Sequence, residues 1–365
     1  MTTLFIGKRF YTNKDAVGDR FGRIYRLPWH WSQSGLDVEL WLIDYHTRHS
    51  VSEREGHLRV ISTPVFGVKT LVQLIRSLAR PPRNIVASGD CYIGLLGYFI
   101  ARLTGASFTF DIYDKYTTFG GYRKLPAFDP FSFLVRHADH LLFASQALAS
   151  DTLTRSNRGG TATVIPNGID EEDFYPRSRS DCRKAMGLQE DVYYVGYFGS
   201  MDLERGITDL LQAMSLIRRS GIDARLLLAG RNVDDTDLSA PWVDYLGTLA
   251  HADIATALGC CDVLTLPYRR SEYLDMASSC KIAEYLAVQV PIAATRTPNL
   301  CTNFPIQARE LDKVLAAPND PESLATCIAH QLLTPIMIPL LVDMTWKSIA
   351  AQAIAAIDPL AQADQ

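Results

Sequence analysis

The stretch YYVGYFGSMDLERGITDLLQAMSLIRRSGIDARLLLAG, residues 193–230, decides the fold. It opens as a short apolar, aromatic-rich run ending in Gly-Ser, the pattern of a buried strand. ITDLLQAMSLIRRSG (207–221) follows, with apolar residues at helical spacing, two arginines in its last turn and a closing glycine. Those are helix stop signals. ARLLLAG (224–230) then returns to a β-type run that also ends in glycine. A strand, a helix and a second strand form one crossover unit, and a crossover of that length makes the two strands parallel.

The same alternation extends in both directions. Downstream, VDYLG (243–247), DVLTLPY (262–268) and PIAAT (291–295) read as strands, while ADIATALGCC (252–261) and CKIAEYLAVQ (280–289) read as helices. The chain from Pro321 to about Ile357 is helical in pattern, with interruptions near Pro335 and Pro339. Upstream, TLFIGKRF (3–10), VELWLIDY (38–45), NIVASG (84–89) and SFTFDIYD (107–114) read as strands. RIYRLPWHWSQSG (23–35), VKTLVQLIRSLAR (68–80) and YIGLLGYFIARLTG (92–105) read as helices, and residues 131–153 as helix, strand and helix. Such alternation is the signature of parallel sheets covered by helices.

At 365 residues the chain exceeds the size at which a single hydrophobic core stops growing, so two domains are expected. VIPNGIDEEDFYPRSRSD (164–181) is rich in Pro, Gly and charge and reads as an exposed connection with its hinge between Pro166 and Pro176. The domains are therefore placed at 1–166, joined by a C-terminal helix over about 345–365, and at 167–344. With 47% hydrophobic and 21% charged residues, the composition is that of a globular enzyme. The start MTTLFIGKRF lacks the features of a secretion signal, and no segment has the apolar length needed to span a bilayer. Seven cysteines without a CxxC pair suggest neither a disulfide framework nor a zinc site, and a reducing cytoplasm is expected. Net charge is divided: 20 Lys and Arg against 13 Asp and Glu in residues 1–166, but 16 against 27 in 167–365. A basic first half suits an anionic membrane surface or an acidic acceptor.

Five segments taken in order carry a family likeness: VIPNGIDEEDFYP (164–176), YFGSMDLERGITDLLQAM (197–214), LLLAG (226–230), residues 243–268 and SSCKIAEYLAVQVPIAAT (278–295). With VLAAPNDPESLATCI (314–328) and the pair Thr345–Trp346, this resembles the family-4-type GT-B glycosyltransferases over roughly residues 160–350. The resemblance implies an α/β fold of two Rossmann-like domains facing a central cleft, with the C-terminal helix crossing back to the first domain. It implies a nucleotide diphosphate sugar in the second domain, an acceptor in the first and no bound metal or other cofactor.

A departing diphosphate needs cations and helix-start amides. Arg205 directly precedes Gly206 and matches the family's Lys-Gly step, while Lys281 sits in the first turn of CKIAEYLA behind Ser278, Ser279 and Cys280. A lysine is unfavourable at a helix N-terminus unless an anion is present. Glu284 matches the second glutamate of the family's Glu, seven residues, Glu pattern, which holds the ribose hydroxyls. Gly199 and Ser200 form the turn before Arg205, Leu249 lies in the loop that meets the nucleobase in relatives, and Tyr268 ends a strand beside the site. Two positions depart from the family. Met276 stands where the first glutamate belongs, leaving Asp275 or Glu272 as substitutes, and Ser200 stands where many members carry arginine, leaving Arg269 and Arg270 as replacements. On the acceptor side, Asp114 is the preferred base for an inverting reaction, with Asp111 beside it. Gly22, Arg23 and Asp90 at turns after strands are the other acceptor-side candidates.

The expected activity is glycosyl transfer to a hydroxyl of a glycan or lipid-linked glycan in surface polysaccharide biosynthesis, in the cytoplasm or peripherally at the inner face of the membrane. Nucleic acid is not an expected partner. Two readings share the scaffold: a nucleotide-sugar epimerase or phosphorylase, and a non-catalytic binding subunit. Asp235 and Asp237 match a metal-binding Asp-x-Asp but lie in a polar loop, and Cys260–Cys261 close an apolar helix where buried thiols are inert.

Overall fold

The computed structural model describes residues 2–11, 14–47, 49–124, 126, 128–156, 158, 161–338, 340 and 344–358. The chain divides into two compact units, Met1–Gly168 with Asp343–Gln365, and Ile169–Val342.

The first unit carries β1 (Thr2–Lys8), β2 (Phe10–Tyr11), β3 (Lys14–Asp15), α1 (Arg23–Gln33), β4 (Asp37–Asp44), β5 (Val51–Glu55), β6 (Leu58–Pro64), α2 (Val68–Ala79), β7 (Asn84–Ser88), α3 (Cys91–Thr104), β8 (Ser107–Ile112), α4 (Pro130–His137), β9 (His140–Phe143), α5 (Gln146–Ser156) and β10 (Thr161–Val164). Its eight-stranded sheet has the order β10-β9-β8-β7-β1-β4-β6-β5. Every pair is parallel except the edge hairpin β5–β6. The central strands are buried along nearly their whole length because helices cover both faces, which is why TLFIG and FTFDI are continuous rather than alternating apolar runs. The hairpin was not legible beforehand. β5 is exposed and charged (VSERE), a protected sheet edge whose pairing comes from its neighbour rather than from its own pattern.

The second unit holds α6 (Arg179–Met186), β11 (Tyr193–Phe198), α7 (Ile207–Arg219), β12 (Ala224–Ala229), β13 (Val243–Tyr245), α8 (His251–Gly259), β14 (Val263–Leu266), α9 (Glu272–Met276), α10 (Cys280–Ala287), β15 (Ile292–Ala294), α11 (Pro298–Cys301), α12 (Pro305–Glu310) and α13 (Pro321–Leu333). Its sheet is wholly parallel, in the order β13-β12-β11-β14-β15. Helix α6 begins within the last three residues of the segment read as an exposed connection and runs on past it. Its anchor is Arg183, buried and bonded through Nε to the Cys260 carbonyl at 3.0 Å and through Nη2 to Asp262 at 2.7 Å. A polar composition conceals an arginine that is buried only because distant groups satisfy it.

The last helix, α14 (Trp346–Ile357), returns to the first unit and packs on α1. Trp31 Nε1 donates to the Ala350 carbonyl at 2.8 Å inside a core of Phe5, Leu40, Trp346 and Ile349. Residues 359–365 of the helix expected at 345–365 lie outside the described residues.

Candidate active site

In an open parallel sheet, ligands bind beyond the carboxyl ends of the strands where strand order reverses. In the second unit that point lies between β11 and β14. Gly199–Ser200 follows β11 and Pro267–Tyr268 follows β14, so parallel pairing alone brings these two loops side by side. The loop Gly247–Leu249, after β13, lies on the same edge, where the Gly247 carbonyl accepts from Gly230 N at 2.8 Å.

Lys281 reaches this edge from the first turn of α10. Its Nζ donates to the Tyr268 hydroxyl at 3.4 Å and lies 5.5 Å from the centre of the Tyr197 ring. Tyr268 in turn meets Ser279 Oγ at 3.4 Å. Gly199 has φ 140, and a Cβ at that position would overlap the lysine's Nζ. The glycine therefore serves both an unusual backbone conformation and the lysine's path. Lys281 forms no ion pair among the described residues, although it is only partly exposed. A cation without a carboxylate partner in such a place suits an anionic ligand.

Arg205 stands on the neighbouring loop. Its guanidinium pairs with Asp202 and its backbone N–H donates to Asp202 Oδ1 at 2.8 Å. Burial opposes its charge, but Asp202, Tyr197 and Tyr268 hold it, and the two tyrosines are the same ones that flank Lys281. Gly206, with φ 70, lets α7 start at once behind this arginine, because a Cβ there would overlap the Pro267 carbonyl.

Glu284, one turn after Lys281, makes no ion pair or side-chain hydrogen bond among the described residues, so it does not merely neutralise that lysine. Burial raises its carboxyl from 4.5 to about 7; Lys281 opposes the rise and Asp170, in the connecting segment, adds to it. An acid whose folded value is raised weakens the fold as pH climbs from its unfolded value through its folded one. The cost is absent below about pH 4.5 and full above about pH 7. Glu284→Gln is therefore expected to be more stable than the parent by about 1–2 kcal/mol near pH 8 and no different near pH 4, as thermal melts at both pH values will read. The same substitution is expected to weaken nucleotide binding.

The replacements considered for the two family departures fare differently. Arg269 does not stand in at Ser200: its Nε donates to Asp209 at 2.7 Å, tying it to the first turn of α7. Arg270 donates to Asp275 Oδ2 at 2.8 Å. Asp275 Oδ1, by contrast, is buried and has no hydrogen-bond partner among the described residues. Tyr197 and Asp170 were not foreseen; for Asp202, its i−3 position to Arg205 was the available signal.

The first unit corrects two of the acceptor-side expectations. Asp111 is fully buried, accepting from Arg23 Nη2 at 2.7 Å and from Ser88 Oγ at 2.6 Å. Arg23 is equally buried and spends its remaining donor on the Ile165 and Pro166 carbonyls at 2.6 and 3.3 Å. Neither side chain reaches solvent, so this is a structural cross-link, not a base and an acceptor contact. Gly22, with φ 72, starts α1 where a Cβ would overlap the Tyr11 hydroxyl, a backbone role. Asp114, three residues beyond, remains partly exposed and accepts from Lys115 N at 2.9 Å. Asp90 lies at the reversal of this sheet, between β1 and β7. It caps α3 through Tyr92 N and Ile93 N, and it also faces Lys8 at 3.7 Å and the Tyr45 hydroxyl at 3.3 Å. Burial raises the thiol of Cys260 to about 12 and that of Cys261 further, as inert core cysteines require.

Residues 192–333, most of the second unit, match the family described as glycosyl transferases, group 1. No curated protein sequence matches the chain significantly. Among solved structures, sucrose-phosphate synthase from Thermosynechococcus elongatus is similar with a TM-score of 0.72 at 16% identity, over 100% of both chains. Anabaena HepE in complex with UDP-glucose is similar at 0.61 and 14%, over 99% of this chain and 96% of that one. A glycosyltransferase from Rickettsia africae is similar at 0.63 and 13%, over 98% and 93%. Identities this low establish the fold, which is GT-B.

Proposed function

We propose that this chain, a glycosyltransferase of group 1 by its second unit and of the GT-B class by its fold, transfers a sugar from a nucleoside diphosphate to a hydroxyl of a glycan or lipid-linked glycan acceptor. The observation that carries this reading is Lys281 at the sheet reversal, beside Arg205 and one turn before Glu284, with neither Lys281 nor Glu284 in an ion pair among the described residues. Complexes of HepE with UDP and with UDP-glucose support a uridine donor for a fold of this kind.

In the reaction, the bond from the anomeric carbon to the diphosphate oxygen breaks and its electron pair leaves with the diphosphate. Lys281, Arg205 and the amides at the start of α10 neutralise that charge as it develops. Two fixed cations supply what a metal supplies elsewhere, so turnover in the presence of chelator is expected. Glu284 accepts from the ribose hydroxyls, Asp275 is the carboxylate left to accept from a donor-sugar hydroxyl, and the loop of Leu249 meets the base. The acceptor oxygen attacks the anomeric carbon, and Asp114 takes its proton if the centre inverts. Surface-glycan assembly at the inner face of a membrane is the setting that a lipid-linked acceptor implies.

The test is incubation with UDP-, GDP- and ADP-glucose, in chelator, with and without octyl glucoside as the hydroxyl acceptor. Nucleoside diphosphate release that requires the acceptor supports transfer. An isomerised donor formed without acceptor replaces this reading by epimerisation, and no nucleotide binding at all replaces it by a non-catalytic subunit.

A further inference from the structure

Helix α2 is inside out. Its buried side chains are Gln73 and Ser77, one turn apart, and Gln73 is 4% exposed. Gln73 Nε2 donates to Glu39 of β4 at 2.5 Å, and Ser77 Oγ donates to the Gln73 carbonyl at 3.0 Å. Leu74 and Leu78 beside them are half-buried, and the other large apolar side chains of the helix point outward. Val68 is 78% exposed, and Leu71, Val72 and Ile75 continue the stripe at helical spacing, with Phe66 just before the helix at 88%. The neighbouring α3 adds Tyr92, Phe99 and Leu103 at positions seven and four apart, so both helices present an apolar outer face. A helix that buries amides and bares aliphatics is stable only if its bared face meets something apolar.

Charge decides what that is. Between residues 64 and 105 there are five Lys and Arg and one acid, Asp90, which is buried at the cap of α3. Neither α2 nor α3 carries an acidic residue. Lys69 and Arg80 flank the stripe without an ion pair among the described residues, whereas Arg76, Arg83 and Arg102 have partners in Glu39, Asp358 and Asp139. A second copy on this face would set like charges against each other. Projecting aliphatic and aromatic side chains rimmed by cations are the features of a helix that lies in a bilayer interface.

We propose that the α2–α3 face seats the first unit on an anionic lipid surface, with Phe66, Val68, Leu71, Val72 and Ile75 in the headgroup–acyl boundary and Lys69 and Arg80 on the phosphates. This deepens the lipid-linked acceptor reading and rests on it for its purpose, since a protein held at the leaflet meets such an acceptor in two dimensions.

The test is flotation of the full chain with phosphatidylcholine vesicles, with and without about one third phosphatidylglycerol, at low and high salt. The parent is expected to float with the anionic vesicles and to be released by salt, and Leu71→Glu/Ile75→Glu to lose roughly tenfold or more of that partitioning. Both positions are exposed, and a parental circular dichroism spectrum and thermal melt of the full chain certify the fold of the double variant. A parent that stays free of anionic vesicles at low salt overturns the proposal. So does a double variant that floats like the parent, or sedimentation showing a parental dimer that the variant breaks. Because UDP binding reports on the other unit, failed flotation with intact UDP binding removes this surface alone, and absent UDP binding in the parent removes the functional reading alone.

Discussion

Asp111→Ala is expected to lower the unfolding free energy by about 3–5 kcal/mol, the scale of breaking a buried ion pair from one side. That is a large part of the about 5–15 kcal/mol that holds a typical domain together. The size follows from what remains. Arg23 would be left in the interior with its Nε and Nη2 unpaired, since among the described residues those donors reach only Asp111, at 2.9 and 2.7 Å. The pair also ties together four parts of the first unit: the end of β8, the start of α1, Ser88 of β7 and the carbonyls of Ile165 and Pro166 after β10. Asp111→Asn separates structure from chemistry. It is expected to be destabilised yet to keep turnover per folded molecule, because no substrate reaches the carboxylate. Urea denaturation with parallel activity decides it, and unchanged stability with abolished turnover would restore Asp111 as a catalytic residue.

Lys281→Ala is expected to weaken nucleoside diphosphate binding by about 1.5–3 kcal/mol, roughly ten- to a hundredfold, and Arg205→Ala by a similar amount. The two losses should not add fully, since both cations share the Tyr197–Tyr268 environment and one anion. Gly199→Ala should mimic the lysine loss, because its Cβ would occupy the position of Nζ. Lys281→Arg is not a rescue: the planar guanidinium is wider than the ammonium that fits between Gly199 and the tyrosine rings. Calorimetry with UDP measures all four, and parental affinity in both alanine variants would sink the donor site.

Sequence reading succeeded where chemistry is local. The runs around YYVGYFGS and DVLTLPY are strands because consecutive buried residues with a closing glycine or proline have few other solutions. Parallel order then places their ends together without further information. It failed where a side chain's role depends on its partner. Nothing in FTFDIYDKY separates Asp111 from Asp114; a long-range arginine does, 88 residues away in the chain. By its position after β14 Arg269 is as available for a phosphate as Arg270, and only its bond to Asp209 of α7 takes it away.

The alternation of strands and helices, the glycine turns at the carboxyl edge of the second sheet, and the lysine and glutamate one turn apart on α10 follow from the order of residues alone, since period and backbone permissiveness are local properties. Which carboxylates stay open and which way α2 turns its apolar stripe were decided only in three dimensions. Glu39 on β4 draws Gln73 inward from 34 positions away, and a periodic pattern can specify that a helix has two faces but not which of them the rest of the chain will cover.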